Sequence, residues 1–209
     1  ERIQQHNLGV SVGGENFNSF TSLNYFEQGG LVPSTDFKRF ALRNNLQAKS
    51  KNDKFNFDTQ IALAHSKRNQ LVQETTSGVN NNTIQNPLHG SVMGLPYITE
   101  SPYTTGQELY DAIGTNFNGA NDTWVLQDNL RSNHLPGSFT ENSAIVNLGA
   151  SYKLTDNLTF RNRAGLDLKD EDGISARAPW AYLSIAVRNS RSEDFGGSET
   201  LQNTKTFNF

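Results

Sequence analysis

Hydrophobic and polar residues alternate along several stretches of this chain. The alternation is clearest over residues 39–48, 55–64, 144–153 and 158–167. Side chains on a β-strand point to opposite faces in turn, so each stretch predicts a strand with one apolar and one polar face. Weaker patterns predict strands near residues 8–12 and 20–26 and a last strand that begins near Thr200. The chain is therefore predicted to be all-β and antiparallel, with about seven strands.

The predicted connections between these strands alternate between short and long. The short ones are tight turns rich in Asn, Asp and Gly, at residues 13–16, 51–54 and 155–157. The long ones cover residues 29–36, 67–142 and 169–196. Short turns at one end of the strands and long loops at the other are typical of an outer-membrane β-barrel, whose long loops are extracellular. We therefore predict a segment of an antiparallel transmembrane β-barrel, with long extracellular loops at 67–142 and 169–196.

The charged residues of the alternating stretches occupy polar positions. In an outer-membrane barrel the apolar positions face lipid and the polar positions face the lumen. The residues predicted to be lumen-facing are Arg39, Arg43, Asp58, Arg161 and Arg163. The same alternation also fits a soluble antiparallel sheet with one wet face, and the pattern alone leaves that interpretation open.

Composition narrows the class of protein further. Hydrophobic residues make up 34% of the 209 residues and charged residues 19%, whereas aromatic residues, at 10%, are too frequent for a disordered chain. The longest nearly apolar stretch, residues 178–187, is shorter than the ~20 residues of a membrane-spanning helix. The absence of Cys excludes disulfides and thiolate sites, and a formal net charge of -3 argues against a nucleic-acid-binding surface.

The longest predicted loop is expected to carry structure and function, because it far exceeds an ordinary connection. Residues 105–114, TGQELYDAIG, predict a short helix with Thr105 as its N-cap and Gly114 as its stop. Aromatic rings among Asn, Gln, Asp and Thr suit a sugar or a peptide, which offers an apolar surface and a wet edge. The candidate substrate-binding residues are Tyr97, Tyr103, Tyr110 and Trp124. The alternative is that these rings hold the loop against its neighbours or against a partner protein.

No motif in the chain predicts catalysis, a metal or a cofactor. Residues 9–13, GVSVG, match the pattern around a hydrolase nucleophile, but Ser11 lies within a predicted strand and no helix follows it. Residues 170–173, DEDG, do not complete a calcium loop, because Leu168 stands where the first oxygen ligand belongs. The four His residues lack the spacing of a zinc site. We therefore expect a protein that is not an enzyme.

Three segments of the chain resemble one family. Residues 5–14, QHNLGVSVGG, are similar to an early barrel strand of SusC/RagA-type, TonB-linked (TonB-dependent) outer-membrane receptors of Bacteroidetes. Residues 25–46, YFEQGGLVPSTDFKRFALRNNL, resemble the hairpin that follows in that family. The NPL of residues 86–88 resembles part of the next extracellular loop. The resemblance is strongest over residues 4–66 and looser beyond them.

The resemblance implies a larger protein than this chain. Receptors of this family have a barrel of about 22 strands around a plug domain, and plugged barrels of that size are known outer-membrane transporters. They work with a SusD-like surface lipoprotein and draw energy from the TonB complex. Residues 1–209 would be a portion of the barrel, namely the early strands that follow the plug. The plug and the N-terminal part that contacts TonB are expected to lie outside this chain.

The expected function is therefore active import across the bacterial outer membrane. The resemblance implies oligosaccharides or oligopeptides as substrates, with lipid, the lipoprotein and TonB as partners and no nucleic acid. A second hypothesis is a complete small outer-membrane barrel of about eight strands that acts as an adhesin or structural protein. A third is a soluble β-rich binding module or hydrolase.

Overall fold

The strands of the chain form one antiparallel sheet. The computed structural model describes residues 2–71, 95–116, 119–131, 134–188 and 197–209. Within them each strand pairs with the next one along the chain, so that the order in the sheet is the order in sequence. The strands are β1 (Ile3–Gly14), β2 (Phe17–Gly29), β3 (Asp36–Lys49), β4 (Phe55–Leu71), β5 (Pro136–Thr155), β6 (Leu158–Arg177) and β7 (Ser198–Asn208). This arrangement confirms the predicted all-β, antiparallel class and is consistent with a segment of a β-barrel.

Tight turns join the strands at one end of the sheet, where the sequence predicts them. Residues 15–16 connect β1 to β2, and residues 156–157 connect β5 to β6. In the turn between β3 and β4, Asp53 has a φ of 51°. Asp tolerates this left-handed conformation better than most residues, and its carboxylate lies 2.9 Å from the Lys49 ammonium group. The hydrogen bond from Lys49 lowers the pKa of Asp53.

The strand register places the main apolar rows of the strands on the same face. Cross-strand partners run from β1 to β5 through Leu8, Leu23, Leu42, Leu63 and Ala144. Paired residues of an antiparallel sheet project to the same side, so the alternation seen within each strand continues across the strands. We call the side that carries this row the apolar face and the opposite side the polar face.

Strands β4 and β5 extend beyond the predicted bounds of the first long loop. The loop was predicted over residues 67–142, but β4 continues to Leu71 and β5 begins at Pro136. The predicted bounds were wrong because the alternation fails at this end of the strands, where residues 67–70 are all polar and Phe139 lies on the face opposite the apolar row. The NPL segment at residues 86–88 lies outside the described residues.

The second long loop is also shorter than predicted. Strand β6 continues to Arg177, so the DEDG segment at residues 170–173 lies within a strand and not in a loop that spans 169–196. Its register is held by polar cross-strand pairs, among them Asp170 and Lys205, whose charged groups are 3.7 Å apart. Polar pairs stabilise a sheet through hydrogen bonds and charge, which a hydrophobic pattern does not reveal.

Three short helices stand at the end of the sheet opposite the tight turns. They are α1 (Gly106–Ile113), α2 (Gly119–Asn129) and α3 (Tyr182–Arg188). Helix α1 begins after Thr105 and ends before Gly114, as predicted from the sequence. We call the described residues between 95 and 135, together with residues 178–188, the helical cap. No helix in the described part of the chain is both long and apolar enough to cross a membrane.

The buried core of the described residues lies in the helical cap. Its fully buried side chains include Leu109, Val125, Leu135, Tyr182 and Leu183, which contact one another. The sheet contributes no buried large hydrophobic side chain among the described residues, and Phe40 on the apolar face is 49% exposed. The two long connections are therefore stabilised by packing against each other, whereas the sheet leaves its apolar face open.

Close backbone contact joins α1 to the segment before α3, and it depends on Gly106. A Cβ atom at Gly106 would lie 2.2 Å from the Tyr182 nitrogen and 2.5 Å from the Trp180 carbonyl oxygen. Both neighbours are backbone atoms, so they have little freedom to give way.

We therefore predict that Gly106→Ala separates α1 from α3. In the intact protein, the amides of both helices should lose hydrogen-exchange protection while those of the strands keep theirs. Gly13→Ala is the matched control, because a Cβ there would meet nothing closer than 3.9 Å. Unchanged protection of the cap in Gly106→Ala would contradict this account.

Candidate functional site

A buried carboxylate at the end of α2 joins three segments of the helical cap. Asp128 is 1% exposed. Its Oδ2 accepts a hydrogen bond from the Tyr182 backbone N–H at 2.8 Å and lies 3.2 Å from Nδ1 of His134. Its Oδ1 lies 3.4 Å from the Arg131 guanidinium. Because a buried carboxylate is costly unless it is paired, these partners favour one arrangement of α2, α3 and the start of β5.

The same centre extends to the start of α1. The Arg131 guanidinium also donates hydrogen bonds to the carbonyl oxygens of Tyr103 and Thr104. Thr105 accepts from the Glu108 N–H at 3.1 Å, and the Glu108 carboxylate accepts from the Thr104 N–H at 2.8 Å. The backbone N–H of Thr104, followed by its hydroxyl, lowers the pKa of Glu108 below its ordinary value of 4.5. The N-terminus of α1 is thus held by a capping box and by Arg131.

Three of the four predicted substrate-binding aromatic residues take part in packing within the helical cap. The Tyr103 ring meets the Trp124 ring edge to face, with 5.6 Å between centroids, and Trp124 donates to the Thr99 carbonyl. The Tyr110 ring lies 6.3 Å from the Tyr182 ring.

Tyr182 is buried within this packing and is held there by a hydrogen bond. Burial raises its pKa, so its hydroxyl remains a donor, and it bonds to the Gly114 carbonyl oxygen at 2.7 Å. Tyr97 differs from the other three predicted residues because it is 74% exposed. Its ring is therefore accessible from outside the cap. A role of these four residues in substrate binding stays a prediction.

The predicted lumen-facing charges share the polar face. The strand register places Arg39, Arg43, Asp58, Arg161 and Arg163 on the side opposite the leucine row. Asp58 and Arg163 both pair with Gly149 and line an open groove of about 560 Å³ near the tight turns. A Cβ at Gly149 would lie 2.3 Å from the Asp58 carboxylate, so the missing side chain makes room for this charge. Whether this face lines a lumen stays a prediction.

The apolar face carries a band of exposed hydrophobic side chains between two aromatic rows. The row nearest the tight turns contains Phe55, Tyr152 and Phe160, which pair across β4, β5 and β6. The row at the other end contains His6, Tyr25, Phe40 and His65. Leu63 and Leu148, which lie between the rows, are each 44% exposed. Beyond the second row the same face becomes charged, with Glu27 and Lys38 paired at 3.2 Å.

The height of this band can be estimated from β4. Phe55 and His65 are ten residues apart on the strand, which corresponds to about 33 Å along its axis at about 3.3 Å per residue. Strands in outer-membrane barrels are tilted by about 40°, which reduces this length to about 25 Å. That is the height of the apolar band on barrels of this kind.

The residues with catalytic or metal-binding potential do not converge. Ser11 lies in the middle of β1 and no helix follows it, so the strand-to-helix turn of a hydrolase nucleophile is not formed. In the described part of the chain, no group of three or more His, Cys, Asp or Glu side chains could hold a metal ion. His134 instead contacts Asp128 within the helical cap.

Sequence reasoning did not single out Asp128, Arg131 or His134. These residues lie in the least regular part of the chain, and their importance depends on Tyr182, which is 54 residues from Asp128 in sequence. No local pattern marks a contact of this range.

No protein-family model and no curated protein matches this chain. Solved structures do match it. A chain from the structure of the RagAB peptide importer in the "closed-closed" state is 16% identical, with a TM-score of 0.61, and the match covers 97% of this chain and 20% of that chain. A chain from the structure of the RagAB peptide transporter is 18% identical, with a TM-score of 0.54, and the match covers 97% of this chain and 22% of that chain.

These matches show a likeness of fold. This chain spans about a fifth of the length of the two chains it resembles. The strand meander with its long connections is therefore a fold that larger transport proteins contain.

The paired state of Asp128 yields a prediction for the helical cap. Asp128→Ala leaves the Tyr182 N–H without its acceptor and should destabilise the cap by about 1–3 kcal/mol, the cost of an unsatisfied buried donor. Asp128→Asn retains an acceptor oxygen and should lose less. Limited proteolysis of the intact protein at the cap would measure the difference, with the exposed Asp111→Ala as control. Equal resistance of Asp128→Ala and Asp111→Ala to proteolysis would exclude this role.

Proposed function

We propose that this chain forms part of the wall and the extracellular cap of a TonB-dependent importer in the bacterial outer membrane. The observation that carries the proposal is the apolar band, which is bounded by aromatic rows and is about 25 Å high for a strand tilted by about 40°. A soluble sheet with one wet face buries its other face against a core. Here the core lies in the helical cap, and the apolar face is left for lipid.

The arrangement of connections supports the same orientation. The tight turns lie at one end of the sheet, as periplasmic turns do, and the helical cap lies at the other end, as extracellular loops do. The polar face, with its arginines and Asp58, would then line the lumen. A plug elsewhere in the polypeptide would fill that lumen and gate it.

The likeness of fold to chains of the RagAB peptide importer supports a role in nutrient import. In the described part of the chain, β1 and β7 stand at the edges of the sheet. A barrel in lipid requires both edges to be paired, so further strands would close it. This favours a large receptor over a small complete barrel that acts as an adhesin.

The partners that follow from this proposal are the ones implied by the family resemblance. A SusD-like lipoprotein would contact the helical cap from outside the cell, and the TonB complex would act through a part of the receptor beyond these residues. The substrate would be an oligosaccharide or an oligopeptide, which is bound, enclosed and released without chemical change.

Two adjacent residues of β4 test the lipid-facing assignment. Ile61 lies on the apolar face midway between the aromatic rows, and Gln60 lies beside it on the polar face. Ile61→Arg should destabilise the membrane-inserted receptor by about 2–4 kcal/mol, because an Arg at the bilayer midplane is poorly solvated. Gln60→Arg should cost clearly less. Urea unfolding in lipid vesicles would measure both, and a larger loss for Gln60→Arg would reverse the assignment of the faces.

Import itself is tested by deletion of the gene that encodes the receptor. Cells that lack it should lose uptake of at least one class among labelled oligopeptides and oligosaccharides, and a plasmid copy should restore it. Normal uptake of every tested peptide and glycan by the deletion strain would refute the proposed function.

A further inference from the structure

Two arginines and three phenyl groups alternate on the polar face, in the half nearest the long connections. Phe37 pairs across the strands with Arg68, and Arg68 pairs with Phe139. Arg39 lies two positions after Phe37 on β3 and pairs with Phe26 of β2. We call these five residues the arginine–phenyl shelf. Among the described strand residues, the half of the polar face near the tight turns carries arginines and a single phenyl group, Phe20, which pairs across the strands with Ser11 and Asn45.

The rings of the shelf hold one another and one guanidinium in place. The Phe26 and Phe37 ring centroids are 6.0 Å apart. The Arg68 guanidinium carbon lies over the Phe139 ring, 5.1 Å from its centroid. On its other side Phe139 lies against Gly173, where a Cβ would be 2.7 Å from the ring. Stacking on an aromatic ring orients the planar guanidinium and leaves its N–H groups free to meet an anion.

The charges of the shelf are not neutralised within the described part of the chain, where neither Arg39 nor Arg68 forms an ion pair. The acids that lie nearest to them on the polar face, Glu141 and Glu171, are already paired with Lys169 at 2.8 and 3.2 Å. Arg39 and Arg68 are diagonal neighbours across β3 and β4, a relation that separates two residues by about 7–8 Å. Two like charges at this spacing repel each other, and an anion between them would remove that cost.

We propose that the arginine–phenyl shelf binds a carboxylate of an oligopeptide together with an adjacent apolar side chain. The proposal rests on the proposed function, because the shelf must face a route that substrate can enter. Guanidinium groups bind carboxylates through paired N–H donors. Phenyl rings offer an apolar surface with no polar edge. Phe139 is already flanked by Arg68 and Gly173, which makes it a poor platform for stacking a sugar ring.

The test compares two peptides on the intact purified receptor. One is a hexapeptide in which Asp and Phe alternate, with a free C-terminus, and the other replaces each Asp by Asn and has an amidated C-terminus. Titration calorimetry should show that the acidic peptide binds at least about tenfold more tightly, since hydrogen bonds to charged groups contribute that much to an affinity. A hexamer of galacturonic acid tests whether a glycan carboxylate serves equally well.

Variants then assign the preference to the shelf. The double variant Arg39→Gln with Arg68→Gln should bind both peptides alike. Lys153→Gln is the control, because it removes a positive charge from the same face near the tight turns and should keep the preference. Heat-dependent gel migration shows whether each variant is folded, and a double variant that does not fold is replaced by the single change Arg68→Gln.

Several results would overturn the proposal. These are equal affinity of the native receptor for the two peptides, no binding of the acidic peptide, or an unchanged preference in the double variant. Tighter binding of the galacturonate hexamer that the double variant loses would assign the shelf to acidic glycans instead. The deletion strain distinguishes failure of the shelf proposal from failure of the proposed function. Loss of uptake in that strain, together with no charge preference in the receptor, refutes the shelf alone. Normal uptake of all substrates refutes import.

Discussion

The antiparallel hydrogen-bond ladder is the constraint on which the rest of this structure depends. It fixes the register from β1 to β7, and a shift of one residue in any pair would exchange the two faces of that strand. With the observed register, Leu42 and Leu63 align on one side while Arg39 and Arg68 fall on the other. The apolar band, the charged polar face and the arginine–phenyl shelf all follow from this one set of backbone pairings.

The helical cap has its own hydrophobic core and is therefore stabilised separately from the sheet. The sheet leaves its large apolar side chains exposed and, among the described residues, supplies none of the buried core of the cap. The cap instead buries Leu109, Val125 and Tyr182 among its helices and closes the polar part around Asp128. Two connections that are distant in sequence thus form one compact unit, which presents Tyr97 and Trp180 to the surroundings. Such a unit can contact a partner or a substrate without losing its shape.

Under the proposed function, these two parts have separate roles. The sheet, with its apolar band and polar face, would separate lipid from an aqueous route, and the helical cap would form the rim of that route. The polar face is not uniform, because Phe37, Arg68 and Phe139 lie in its half near the long connections, whereas Asp58 and Arg163 lie near the tight turns. In the proposed import route, such zones would hold a substrate through several weak contacts and still release it.

The sequence by itself determined the all-β class, the tight turns, the α1 helix and the separation of Leu63 from Arg43 onto opposite faces, because these depend on neighbours within a few residues. The sequence pattern did not predict the ends of β4 and β6 that lie near the long connections, because most residues there are polar on both faces and the alternation disappears. Only the tertiary structure brought Asp128 to Tyr182 and Arg68 to Phe139. Such contacts join residues tens of positions apart, so their formation depends on strand register and helix packing, which no local pattern records.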